Sequence, residues 1–455
     1  MKNYLIGIIV YACLVTTACA QNPVYRLDLT RGSIDALPVG WTLTTFQKEH
    51  VPGFAIKEDA QGRYLSLTGN GDPAVVAYIS SNTRLAPGTY QYKVVFSMSD
   101  DVNPQRNLLF QINRGGIESF YRLGDGMVEG RETFVIEDNK QGDDIIRILY
   151  RFNAGGEVKI RSMAITPTEP VKPRWARFAC TQDTIRNRQE MAAIAVQAAK
   201  EEADLLLFYE NVAQSEQGAL DGDTLMTIFS QLAAKHHLYV AVSIYVIDKT
   251  DGKKYNRGVL YDRSGKLAGV YDKIHPYSPE VNWEGVTPGT KTDIFETDFG
   301  KVGMLICYDS WFTDVTQLLA LKGADVILFP VAGYYRSLIP ARCADNRVRF
   351  VISVKDKRMG YGIFDSAGRD VQNPDKDPTV FVRSSAKTFK DVRTFEIGGA
   401  GLLVASLDLN CNVSPHDWGG NMVDAPGGKR NRDDQVIYLD DMIKKEKERW
   451  WKNKD

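Results

Sequence analysis

Ala203-Asp204-Leu205-Leu206-Leu207-Phe208-Tyr209-Glu210-Asn211 is an apolar run that stops at a carboxylate. The unbroken block Leu205 to Phe208 fits a strand buried on both faces, as in a helix-covered parallel sheet. Just before it, Asn187 to Glu202 predicts a helix, with Met191, Ile194, Ala195, Ala198 and Ala199 on one face. Just after it, Asp223 can cap a helix reaching Ala234, followed by a strand over Leu238 to Ile244. The alternation continues with a strand over Lys301 to Ile306, a helix from Asp314 to Lys322 closed by Gly323, and a strand over Asp325 to Phe329. A helix over Pro340 to Phe350 then leads into Val351-Ile352-Ser353-Val354. Strands alternating with helices predict an α/β domain, placed here at residues 174–425.

Residues 21–165 have a different texture. Stretches such as Gly40 to Phe46, Arg63 to Thr68, Tyr90 to Phe96 and Glu157 to Arg161 alternate with a period of two, and turn sequences such as Asn70-Gly71-Asp72-Pro73 and Ala154-Gly155-Gly156 separate them. This predicts an all-β sandwich domain that resembles a jelly-roll module of the carbohydrate-binding type. Trp41, Phe120 and Tyr121 could form a platform for a glycan partner. Ordinary inward packing of strand aromatics is the favoured reading of the three. Between the two regions, residues 166–173 carry three prolines and read as a semi-rigid linker.

The ends of the chain read separately. Residues 1–20 have a basic start, an apolar run from Leu5 to Val15 and small residues before Gln21, the layout of an export signal. Ala18-Cys19-Ala20 fits ordinary signal cleavage; cleavage before Cys19 would leave a lipidated cysteine instead. Either outcome places the protein in the periplasm or at the cell surface. Residues 426–455 form a charged tail whose last part, from Asp441, predicts a helix carrying Trp450 and Trp451.

With 455 residues, two or three domains are expected, and 44% hydrophobic with 25% charged residues is ordinary for a globular chain. The 56 basic and 57 acidic residues leave a formal charge of −1, which argues against nucleic acid as a partner. Six scattered cysteines do not read as a disulfide framework, and the five histidines form no ligand motif, so neither a metal nor another cofactor is expected.

Three polar residues end apolar runs in the α/β region: Glu210 after Leu205 to Phe208, Lys273 after Lys266 to Tyr271, and Cys307 after Val302 to Ile306. The carboxyl ends of strands in open α/β sheets are where ligands bind, so a carboxylate, an ammonium and a thiol could meet in one cleft. Any one of them alone reads as a loop charge or a small core residue.

Their local sequences add specificity. Tyr271-Asp272-Lys273-Ile274-His275, Gly303-Met304-Leu305-Ile306-Cys307-Tyr308-Asp309 and the opening Ala203 to Asn211 stretch resemble, in order, the signature segments of the nitrilase or carbon–nitrogen hydrolase superfamily. Glu284-Gly285-Val286-Thr287-Pro288-Gly289 and Leu403 to Leu409 match as well, so the resemblance runs from Pro173 to Asn410, about half the chain. It implies a four-layer αββα sandwich assembled as a homo-oligomer, and an enzyme that cleaves a small-molecule amide through a cysteine thioester. In that reading Cys307 is the nucleophile, Glu210 the base and Lys273 the oxyanion partner; Glu284 is the second carboxylate, and the Tyr308 N–H is a second oxyanion donor. Trp311 and Tyr334 are expected to contact substrate. Nitriles and ureides are the other substrate classes such a set can serve.

Two departures bear on the substrate. Tyr209 precedes the base where the family usually has Pro, and Ser310-Trp311-Phe312-Thr313-Asp314 replaces a common Arg-Phe-Pro-Glu segment. Two other readings stand beside hydrolysis: an inactive nitrilase-fold binding protein, and an N-acyltransferase using the same triad. A Cys–His protease pairing through His275 is disfavoured, because the sequence around Cys307 is not of that kind; His275 reads as a supporting residue.

Overall fold

The computed structural model describes residues 22–113, 115–117, 120–136, 142–214, 220–373 and 387–411. The expected export signal with Cys19, and the C-terminal tail with Trp450 and Trp451, lie outside the described residues.

Residues 22–167 build two antiparallel sheets. One orders Gly53–Asp59, Gly62–Thr68, Glu157–Pro167, Gly88–Met98, Met127–Ile136 and Phe120–Arg122, with Tyr25–Arg26 also on Glu157–Pro167. The other orders Thr42–Thr45, Val76–Thr83, Asp144–Arg151, Leu108–Ile112 and Gly115–Gly116. The period-two pattern explains the packing. Tyr90, Tyr92, Val94 and Phe96 from the first sheet and Ile146, Ile148 and Tyr150 from the second point into one shared apolar core. Each large side chain buried there is worth about 1.5–3 kcal/mol relative to exposure. Trp41 and Phe120 belong to that core, as inward packing predicts, and so offer no surface platform. Tyr121 is half-buried, with the Arg131 guanidinium 4.3 Å above its ring.

Residues 168–174 have no regular structure. Arg174 ties the end of this segment to the second unit through Asp325 at 2.8 Å and Asn410 at 3.1 Å.

The second unit contains strands β1 (Trp175–Gln182), β2 (Leu205–Glu210), β3 (Tyr239–Ile247), β4 (Lys254–Tyr261), β5 (Leu267–Asp272), β6 (Phe295–Glu296), β7 (Lys301–Met304), β8 (Val326–Val331), β9 (Arg349–Val354), β10 (Gly362–Phe364), β11 (Phe389–Ile397) and β12 (Ala400–Asp408). Its helices are α1 (Arg188–Lys200), α2 (Gly222–His236), α3 (Ser278–Asn282), α4 (Asp314–Leu321) and α5 (Leu338–Asn346). The strands run β5-β4-β3-β2-β1-β9-β8-β7-β6, with β12 and then β11 on the other edge of β1, and β10 beside β9. β1 and β9 meet only at Gln182 and Val354, so the sheet folds over there into two faces.

One core lies between these faces. Phe178, Leu205, Leu207 and Ala241 from one side join Met304, Leu328 and Ile352 from the other. The intervening residues Leu206, Phe208, Val240 and Val242 point outward, against Met191, Ile194, Leu225 and Phe229 of α1 and α2. That is why Leu205 to Phe208 is apolar without interruption. On the far side, Val315, Leu318 and Leu319 of α4 and Ile339 and Cys343 of α5 pack on β7 to β9, which makes four layers: helix, sheet, sheet, helix.

The element boundaries differ from expectation in instructive places. Asn187 caps α1, accepting from the Glu190 N–H at 3.0 Å. Asp221, not Asp223, caps α2, accepting from the Thr224 N–H at 2.9 Å. Either aspartate suits the role chemically, and such a cap is worth about 1 kcal/mol. α5 stops at Asn346 because Arg347 turns left-handed, with φ +51°, and Arg349 already belongs to a strand.

Candidate active site

Three strand ends converge. Glu210 closes β2, Lys273 follows β5, and Cys307 stands three residues past β7 with φ +46°. Glu210 and Lys273 are nearly inaccessible, while Cys307 keeps partial exposure, which a nucleophile meeting a substrate needs.

The Lys273 ammonium lies 2.8 Å from Glu210 Oε1 and 2.7 Å from Glu280 Oε2. The Ala332 N–H donates to Glu210 Oε2 at 3.0 Å. Asn256 uses both protons of its amide nitrogen, giving one to Glu210 Oε1 and one to Glu280 Oε1, each at 2.8 Å. The Tyr277 N–H at 2.6 Å and the Tyr245 hydroxyl at 3.2 Å complete the shell of Glu280. Two buried carboxylates are tolerated because an ammonium and several N–H and O–H donors surround them; unpaired, each would cost several kcal/mol.

These charges set the protonation of the cluster. Burial acts most strongly on Lys273 and disfavours its ammonium. The charges of Glu210 and Glu280 outweigh burial and hold it well above the ordinary 10.5. Burial also pushes Glu280 up, but Lys273 and the hydrogen bonds bring it below the ordinary 4.5. For Cys307, burial and then the Glu210 charge push the thiol well above 9.0, against the opposing pull of Lys273. The resting sulfur is therefore protonated. Glu210, whose charge acts on the thiol, is the carboxylate placed to take that proton. The sulfur also lies 3.7 Å from the Gly333 carbonyl oxygen.

Asp309 explains why two distant motifs belong together. Its carboxylate accepts from the Tyr271 hydroxyl at 2.7 Å, the Ile306 N–H at 2.9 Å and the His275 N–H at 2.7 Å. The turn carrying Cys307 is thus pinned to the end of the strand carrying Lys273. His275 stacks on Phe312 at 4.0 Å and reaches Asp314 at 3.0 Å, so it braces the same turn and does not pair with the thiol.

Two expected site residues stand elsewhere. Glu284 lies past the end of α3 and pairs with Lys254 at 3.1 Å near the surface; Glu280, four residues earlier, occupies the position beside Lys273. Tyr334 turns into the core against Phe329, its hydroxyl donating to the Gly360 carbonyl at 2.7 Å, and burial pushes that hydroxyl up to about 12. Its neighbour Tyr335 is exposed and meets Trp311 at 4.8 Å. Tyr308 follows the nucleophile directly, and its ring touches Trp311 at 5.7 Å. Sequence reasoning missed Asn256, because β4 was not recognised as a strand; Tyr255-Asn256-Arg257-Gly258-Val259-Leu260-Tyr261 carried only a short apolar end as a signal. A cavity of about 500 Å³ lined by Gln182, Asp183, Lys357 and Tyr361 includes none of the catalytic cluster.

Residues 173–351 match the carbon–nitrogen hydrolase family. A probable nitrilase of Schizosaccharomyces pombe is 31% identical over 175 residues, which are 34% of this chain and 62% of that protein. An omega-amidase of Saccharomyces cerevisiae is 27% identical over 36% of this chain and 67% of its own length. The chain spans about half the length of most of the curated relatives it matches. Among solved structures, a carbon–nitrogen hydrolase from Helicobacter pylori is 18% identical over 52% of this chain and 90% of that one, with a TM-score of 0.41.

Proposed function

Through residues 173–351 the chain belongs to the carbon–nitrogen hydrolase family, and from that premise we propose that it hydrolyses the C–N bond of a small-molecule amide through a thioester on Cys307. The observation that carries the reading is the shared carboxylate. Glu210 is held by Lys273, Asn256 and the Ala332 N–H, and its charge is close enough to Cys307 to act on the thiol.

Glu210 takes the thiol proton as the sulfur attacks the amide carbonyl carbon. The carbonyl oxygen gains negative charge beside the Lys273 ammonium and the Tyr308 N–H; one such donor is worth about 3–4 kcal/mol in the transition state. The C–N bond breaks as Glu210 returns its proton to the leaving amine, and an acyl thioester remains. Glu210 then removes a proton from water, the hydroxide adds to the thioester, and collapse releases the acid while the sulfur regains its proton. Glu280 holds Lys273 charged and in place throughout.

The test is Cys307→Ala, assayed on a panel of amides alongside the native protein, with folding checked by circular dichroism. Turnover should vanish and the fold remain. An alanine variant that still hydrolyses amides would refute the assignment, as would a native protein that neither turns over nor forms a covalent adduct at Cys307 with acylating probes. Adding a second amine to the assay distinguishes hydrolysis from acyl transfer.

A further inference from the structure

Four aromatic rings form a connected arc beside the catalytic cluster. Tyr277 meets Tyr308 at 5.3 Å, Tyr308 meets Trp311 at 5.7 Å, and Trp311 meets Tyr335 at 4.8 Å. Three of them remain open to solvent, with 52% of Tyr277, 47% of Trp311 and 59% of Tyr335 exposed. Adjoining exposed aromatics of this kind mark a surface that something covers.

The segments bearing the arc also build the site. The segment with Tyr277 supplies Glu280, whose carboxylate accepts the Tyr277 N–H itself at 2.6 Å. The turn with Tyr308 and Trp311 begins at Cys307. The segment with Tyr335 supplies the Ala332 N–H to Glu210 and the Gly333 carbonyl beside the sulfur. The arc is therefore anchored at three points to the place where a scissile carbonyl would lie.

Resting on the hydrolase reading, we infer that this arc binds an apolar substituent of the amide, so the substrate class is alkyl or aryl amides and not small or charged ones. The ring geometry favours this over a sugar. A sugar stacks on flat, coplanar rings, whereas Trp311 and Tyr335 meet at 85° and Tyr277 and Tyr308 at 62°, forming corners that an alkyl chain or a ring edge fills. The arc residues carry no charge that would recognise a carboxylate or an ammonium substituent.

The experiment uses two amide series, one lengthened on the acyl side and one on the nitrogen side. kcat/KM is read on the native protein, and Kd on Cys307→Ala. Each added methylene should improve binding by about fourfold in at least one series, the transfer effect of a buried CH2. In Trp311→Ala and Tyr335→Ala that slope should fall below about twofold. A flat Kd series together with normal turnover would overturn the arc and leave the hydrolase reading intact. A steep Kd series without any turnover would leave the arc standing and remove the hydrolase reading. If the alanine variants dissociate a dimer in sedimentation while the slope is unchanged, the arc is a contact between copies and the inference fails.

Discussion

The Lys273 ammonium lies 2.7 Å from the Glu280 carboxylate, and no such contact joins it to Glu284, which pairs with Lys254. The two glutamates should therefore respond differently to neutralisation. Glu280→Gln removes a charge that holds Lys273 in position, and kcat/KM should fall by about 100-fold or more. Glu284→Gln loses only a partly exposed ion pair, worth about 0–1 kcal/mol, and should change kcat/KM by no more than about threefold. Steady-state kinetics on one amide decides; equal losses in the two variants would contradict the placement.

Asn256 bridges Glu210 and Glu280 at 2.8 Å each. Asn256→Ala leaves two buried carboxylates short of a donor, at a cost of about 1–3 kcal/mol in unfolding free energy. Asn256→Asp adds a third acid to the cluster and should shift the acid limb of the pH–rate profile upward, because neighbouring carboxylates then hold their protons more tightly. Urea unfolding and the pH dependence of kcat/KM read the two effects separately. A purely structural role would lower stability and leave the pH limb in place.

The elbow at Cys307 depends on Asp309. Tyr271→Phe removes one of its three donors without changing the ring, so stability should fall by about 1–3 kcal/mol. kcat should fall more than KM rises, since the altered turn mispositions the attacking sulfur. Unfolding curves and kinetics on the purified variant provide the measurement.

Stability should depend on pH at both ends of the range. Burial pushes the thiols of Cys180, Cys343 and Cys307 above 9.0, so the folded state keeps protons that the unfolded chain releases. This contribution is fully present below 9.0 and is lost as pH rises above it; Lys273, raised above 10.5, adds a further loss beyond that value. Glu280 is shifted the other way. Its contribution is present above 4.5 and disappears as pH falls through its lower folded value. Tm should hold level between these limits and decline outside them. Cys343→Ala should soften the alkaline decline; a decline of unchanged steepness would count against the thiol assignment.

Much of the site could be read from residue order alone. A polar residue closing a long apolar run has few places to go except the strand end, so Glu210, Lys273 and Cys307 were legible as a set. The four-layer arrangement followed from the resemblance. The unbroken run Leu205 to Phe208 pointed to burial on both faces, and its alternate residues do pack against the second sheet and the helices. Strand β4 was not legible: its polar start, Lys254-Tyr255-Asn256-Arg257, masks its apolar end, and Asn256 went unnoticed with it.

What the linear order determined, then, was which residue types end the strands and which faces are apolar, because those depend on local periodicity. Which of two nearby residues enters the site was decided only in three dimensions. Glu280 and Glu284 are both plausible acids, but α3 aims the first at Lys273 and ends before the second. Tyr334 and Tyr335 are adjacent, and the packing of Phe329 and Gly360 draws one inward and leaves the other beside Trp311. Side-chain direction follows from how an element seats against its neighbours, and that seating is a property of the whole packed core.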